Sequence, residues 1–346
     1  MAIIDKPTDY FNTVLYTGNN TARTITGLDF QPDWIWGKGR SEASDHTATD
    51  SVRGNTKVLT PNDNSGEGTT STYVTSFNSN GFSLGNDNGM NKNNVTYASW
   101  NWKAGTSFTN DASGTGIGSI DSAGSVNTDA GFSIISYTGT ASAATVAHGL
   151  GAVPKMIIVK TRGSSGDWSV YHSSLGNTKN LKLNTTAAEQ TSASYWNNTT
   201  PTSSVFTIND EGNVNGSSVA MIAYCFAEKQ GYSKFGNYAP NGNADGNFIY
   251  TGMSPAFVMI KNTNTTRDWV MYDNKRPIPN SASKVLEANT SDAESTLDLD
   301  IDLLSNGFKL RGAAGNINTS DGVNYIYMAF AENPLVASNF VPTTAR

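Results

Sequence analysis

Apolar positions fall in short runs broken by Gly, Ser and Asn, and the clearest run is Val153–His172 (VPKMIIVKTRGSSGDWSVYH). Pro154 opens it, Met156–Val159 form a largely β-branched core, and Lys160 closes it before a Gly/Ser turn. A run of this length bounded by Pro and Gly predicts a strand buried on both faces and is too short for a helix. Trp168 and Val170 then alternate with Ser169 and Tyr171. That period of two predicts a hairpin partner with one wet face.

The unit recurs. Pro255-AFVMI-Lys261 leads to Asp268-Trp269, and Pro32-DWIWG-Lys38 leads to Asp45-His46. Each copy has a lysine six residues after the proline, an Asp opening the second run, and a tyrosine 16 or 17 residues upstream (Tyr16, Tyr137, Tyr238). Gly81-Phe-Ser-Leu84 matches Val205-Phe-Thr-Ile208 and Gly307-Phe-Lys-Leu310, and aromatic strands around Trp100-Asn-Trp102, Tyr224-Cys-Phe226 and Met328-Ala-Phe330 close the copies. Phe82 to Phe206 and Trp102 to Phe226 both span 124 positions; the next copies are offset by 102 and 104. Constant offsets over several landmarks indicate an internal repeat. With no window of convincing 3.6-residue period, the expectation is an all-β chain of three tandem antiparallel β-sandwich (jelly-roll-like) domains.

The divisions expected are an N-terminal arm (1–12), domain one (13–103), a Gly/Ser/Asn-rich linker (104–130) with a weak hairpin at Ile117–Val126, domain two (131–229), domain three (230–332) and a C-terminal arm (333–346). The glycines of His148-Gly-Leu-Gly151 are expected at positive φ. Only 15% of residues are charged, and the net charge of −6 comes without a basic cluster, which argues against nucleic-acid binding. There is no 18-residue apolar run for membrane insertion, and Met1–Asn12 lacks a signal peptide's apolar core.

Candidate chemistry is sparse. Cys225, the single cysteine, sits between Tyr224 and Phe226 and reads as a buried, inert thiol. His46, His148 and His172 have no partners at zinc-ligand spacing, and His172 stands where the other copies have Asp50 and Asp273, which suggests a tolerant surface position. Asp298, Asp300 and Asp302 share one strand face and read as a solvated acidic edge rather than a calcium site. Asp210-Glu211 reads as a turn rather than as half of a glycosidase pair with Glu189. Trp34, Trp36, Trp100 and Trp102 leave two readings open, core or an exposed ladder for sugar rings. The candidate ligand site is the loop Ser194–Thr200 (SYWNNTT), with Tyr195, Trp196, Asn197 and Asn198, because rings and amides bind sugars; the alternative is that Trp196 packs inward as a plug. No catalytic residue, metal or cofactor is expected.

The runs ITGLDFQPDWIW, SFNSNGFSLG and WNWKAG, then AHGLGAVPKMIIVK and AYCFAEKQGYSKFGNY, then YTGMSPAFVMIK, YIYMAFAEN and VPTTAR cover the chain from end to end. They resemble the repeated β-domain of tail-fibre-like virion structural proteins of marine bacteriophages. The resemblance implies a phage structural protein of the virion. With the residues read as above, the expectation is a non-enzymatic protein, made in the host cytoplasm, that helps attach the particle to the host. The expected partners are other virion proteins, met through the terminal arms, and a host-surface glycan or protein, with a homotrimer by analogy with phage fibres. A capsid decoration protein or tail connector is the alternative. The chain departs from long fibres in having no collagen-like or heptad shaft.

Overall fold

The computed structural model describes residues 3–276, 281–296, 299–319, 322–339 and 341–343. The protein is all-β, built from antiparallel sheets with only short helical turns. Three large sheets share one strand order. In the first, Phe11–Thr17 pairs with the closing strand Thr96–Trp102, which pairs with the central strand Trp34–Gly39 and then Thr47–Asp50. Phe132–Thr138, Ala220–Ala227, Pro154–Thr161 and Ser169–His172 repeat that order, as do Ser233–Tyr238, Tyr325–Pro334, Met253–Asn262 and Trp269–Asp273.

The central strands are buried on both faces, as their unbroken apolar runs require. In Pro154–Thr161, Ile157 and Val159 face a local core with Phe206 and Ile208 of a smaller sheet, while Met156 and Ile158 face a second core shared by the whole molecule. Val258 and Ile260 against Phe257 and Met259 divide the same way, and so does Ile35 against Trp34 and Trp36. The shared core is aromatic. Trp34 stacks on Trp102 of its own sheet at 4.5 Å and on Tyr224 of the second sheet at 4.4 Å, and Phe11 stacks on Phe330 of the third at 5.1 Å. All four tryptophans of the first repeat are therefore core, each 1% exposed or less.

Packing on both sides overturns two expectations. The partner strands have no wet face: Ser169–His172, Thr47–Asp50 and Trp269–Asp273 are buried at every position, because Val170 lies in the shared core and Tyr171, on the side that alternation assigned to solvent, lies in the local one. His172 is not at the surface but 1% exposed, with Nε2 3.2 Å from the Tyr327 carbonyl across a sheet boundary.

Residues 104–130 are not a free linker. Thr106–Asn110 pairs with Ser122–Asn127, which pairs with Phe132–Thr138, so the segment adds two strands to the second sheet, and the hairpin starts earlier than expected, with Ile117 in its exposed connection. The described parts of the two terminal segments lie on the chain's own third repeat and on each other. The Ile4 amide donates to the Gln230 carbonyl, Asp5 accepts from Ser338, and Phe11 is already inside the shared core. Gly149 and Gly151 take positive φ (71° and 65°), as the turn before the central strand requires.

Cys225 faces the second local core at 0% exposure, and burial pushes its thiol well above the ordinary range. Labelling by a thiol reagent under native conditions should proceed only as fast as the protein opens, and stoichiometric labelling within seconds would contradict this burial.

Candidate functional site

Most buried charged side chains sit where the sheets meet, at equivalent positions of the repeat. The central-strand lysines each donate to two carbonyls, one of them in the loop of another repeat. Lys160 reaches Asn64 (2.9 Å), Lys261 reaches Thr186 (3.2 Å) and Lys38 reaches Ser291 (3.3 Å). Burial lowers each from the ordinary 10.5 to about 8. Paired backbone bonds accompany them: Gly166 to Asn64 with Glu67 to Arg162, Arg267 to Thr186 with Glu189 to Thr263, and Ser44 to Ser291 with Glu294 to Arg40. The Trp168 and Trp269 indoles donate to the carbonyls of Thr60 and Lys182, and His46, standing in the tryptophan's place, uses Nε2 on Glu287. The second repeat thus grips the first, the first grips the third, and the third grips the second. The contacts close a ring.

Charge reinforces two of the three joints. Arg162 and Arg40 make bidentate pairs with Glu67 and Glu294, whereas Thr263 takes the arginine's place opposite Glu189, which turns to Lys179 at 2.8 Å. Asp50 with Arg53, and Asp273 with Arg276, form fully buried pairs whose carboxylates accept from Tyr224 (2.7 Å) and the Trp100 indole (3.0 Å) of the next sheet. In the second repeat this pair becomes His172 and Leu175, so the third joint carries no buried ion pair. Glu189 is therefore joint machinery, and Asp210-Glu211 is the turn that enters the short helix Gly212–Asn215.

Sequence reading missed a second repeated device, the buried asparagines Asn91, Asn215 and Asn318. Each accepts from the amide of one loop (Asn19, Thr140, Asn241) and donates to two carbonyls. Their spacings, 124 and 103, match the repeat offsets and were the available signal.

The candidate loop is split by its own packing. Ala193–Trp196 forms one helical turn that buries Tyr195 (2% exposed) and Trp196 (1%) in the second local core, where Trp196 meets Tyr171 at 5.8 Å. Rings so covered offer no face to a sugar, so Trp196 is the plug of the alternative reading. Asn197 and Asn198, both at φ 49°, remain on the surface. Of the acidic edge, Asp302 pairs with Arg311 and Asp300 accepts from Ser281; Asp298 lies outside the described residues. Among the described residues no group of three His, Cys, Asp or Glu is arranged to hold a metal, and no helix is long and apolar enough to cross a membrane.

Open concave space lies instead at the equivalent of that loop in the first repeat. A cleft of about 680 Å³ is lined by Asp45, Thr60, Gly68, Tyr73, Asp87 and Gly89 among others. The Gly85 amide bonds to the Tyr73 carbonyl as the Asn209 amide does to that of Tyr195, so the two tyrosines correspond. Tyr73 is only half-buried, and burial together with Asp87 and Asp45 pushes its hydroxyl above the ordinary range. Asp45 accepts from Asn62, and Asp87 accepts from Thr72 and from the Gly89 amide.

These features define an all-β protein of repeated, interlocked sheets with an open polar cleft. The chain belongs to the family described as a domain of unknown function (DUF7483), which matches residues 6–334. A search of curated proteins finds no match.

Proposed function

We propose that this protein is a non-catalytic structural component of a bacteriophage virion, a tail-fibre-like part that helps attach the particle to the host surface. In this reading the chain is three tandem copies of one β-sandwich domain. The observation that carries it is the closed ring of joints, in which the same lysine, Trp/His and loop-carbonyl positions of each repeat grip the next. Such an arrangement fixes three similar surfaces in one rigid block, and several copies of the block per particle, in a homotrimer or a larger array, would raise the avidity of individually weak sites by roughly 10²–10⁴. The sequence resemblance to virion proteins supplies the setting.

Particles lacking the protein are expected to adsorb poorly, and excess purified protein should compete with intact particles for host cells. Unchanged adsorption in both experiments, with heads that become fragile, would replace attachment by capsid decoration.

A further inference from the structure

The first-repeat cleft exists because three lining positions are small. Thr60, Gly68 and Gly89 correspond to Lys182, Gln190 and Asn213 of the second repeat, as the strand registers Val58↔Gly68 and Asn180↔Gln190 and the 124-residue offset fix. In the second repeat those larger side chains engage every group that the cleft leaves open. Lys182 pairs with Asp167 at 2.7 Å, Gln190 accepts from the Tyr195 hydroxyl at 3.3 Å, and Asn213 accepts from the Asp167 amide. In the third repeat Glu287 stands at the Thr60 position and Asn316 reaches Asp268 at 3.4 Å.

In the first repeat the corresponding groups are free. Asp167 and Asp268 have both oxygens engaged, whereas Asp45 has one oxygen held by Asn62 and none of the described residues on the other. The Tyr73 hydroxyl, with glycine in place of Gln190, makes no hydrogen bond among the described residues, and its ring lies over Gly89, where a Cβ would fall 2.4 Å from it. No lysine or arginine lines the cleft, and two carboxylates do. The open Asp45 oxygen, with the Tyr73 phenol beside it, matches a ligand that donates hydroxyls, and the negative field disfavours an anion.

We propose that this cleft binds an uncharged, hydroxyl-rich sugar unit, with Asp45 accepting from its hydroxyls and Tyr73 providing a ring edge and a hydroxyl. The proposal deepens the attachment reading by naming a ligand class, and rests on it only for where that sugar is found.

The test is saturation-transfer NMR on the full chain with maltotriose, N-acetylated chitotriose and mannotriose as neutral probes and trigalacturonate as the anionic one. Transfer is expected to at least one neutral trisaccharide and not to trigalacturonate. Gly68→Gln with Thr60→Lys, which copies two of the second repeat's filling side chains, should abolish the signal with the melting temperature unchanged. Asp45→Asn and Tyr73→Phe, milder changes that keep the site falsifiable if the filled variant unfolds, should each weaken binding about tenfold. No transfer to any neutral probe, equal transfer to trigalacturonate, or binding that survives both the filling and the milder changes would overturn the proposal. If the filled variant still blocks adsorption as well as the wild type, the cleft is dismissed and the attachment reading stands.

Discussion

Lowering the pH from 7 to about 4.5 is expected to unfold the protein, and the three histidines are the reason. Burial depresses His148 and His172 from the ordinary 6.5 to about 4, and burial with the nearby Lys38 depresses His46 to about 3. Each is fixed as a neutral ring. Nδ1 accepts an N–H (from Trp36 at His46, Leu150 at His148 and Ser174 at His172), which leaves Nε2 to donate to the carbonyls of Glu287, Thr202 and Tyr327. A proton on Nδ1 would put two donors face to face.

The folded pKa lies below the unfolded one, so the unfolded chain takes up protons first as the pH falls. The contribution is whole above pH 6.5 and is lost towards pH 4 for His148 and His172 and pH 3 for His46. At about 1.4 kcal/mol per pKa unit, His148 and His172 are worth about 3 kcal/mol each and His46 about 5, while Glu287, whose carboxyl burial raises to about 7, offsets at most about 3 in the opposite sense; the net loss still rivals the whole stability of a typical domain. Urea unfolding at pH 8, 6 and 5 should show a falling midpoint. In His172→Gln, where an amide still donates to Tyr327 but cannot take up the proton, the fall should shrink by about a third. A midpoint independent of pH from 7 to 4.5 would show that the rings are not held neutral.

Breaking the buried pair of Asp50 and Arg53 is expected to cost the most of any single change at a joint. Arg53→Leu leaves the Asp50 carboxylate at 0% exposure without its guanidinium, with the Tyr224 hydroxyl as its remaining side-chain donor, and removing one partner of a buried pair costs roughly 3–5 kcal/mol. The protein carries its own uncharged version of this joint in His172 and Leu175. The double change Asp50→His with Arg53→Leu should therefore recover most of the loss, with a coupling energy of about 2 kcal/mol or more in a double-mutant cycle. Strictly additive losses would mean that the pair acts through something other than mutual charge compensation. The same logic applies to Asp273 and Arg276, which sit at 0% side-chain exposure beside the Trp100 indole.

The sequence by itself determined the local units. Length and bounding residues were enough for the central strands at Trp34, Met156 and Phe257, because an apolar run between proline and glycine has few other ways to satisfy its backbone. The repeat offsets located the closing strands at equivalent places in each copy, and the thiol of Cys225 followed from its aromatic neighbours. The same offsets hold for Asn91, Asn215 and Asn318, whose side chains brace loops in each repeat, but sequence reading did not use that signal.

Where the second face of each large sheet goes was decided only by tertiary structure. Alternation along Ser169–His172 reports two faces of a strand but not what lies beyond each, and here Tyr171 meets the local core and Val170 the shared one. His172, as a histidine where its counterparts are aspartates, carried no sign of burial, since its position becomes a joint only when Tyr327 arrives from residues 155 further along. The candidate site moved for the same reason. SYWNNTT has the composition of a sugar-binding loop, yet its helical turn packs Tyr195 and Trp196 into the local core, while Tyr73 stays half-exposed in a cleft that Thr60, Gly68 and Gly89 are too small to fill. Composition names the groups that are able to bind, but side-chain volume at positions distant in sequence decides which of them face water.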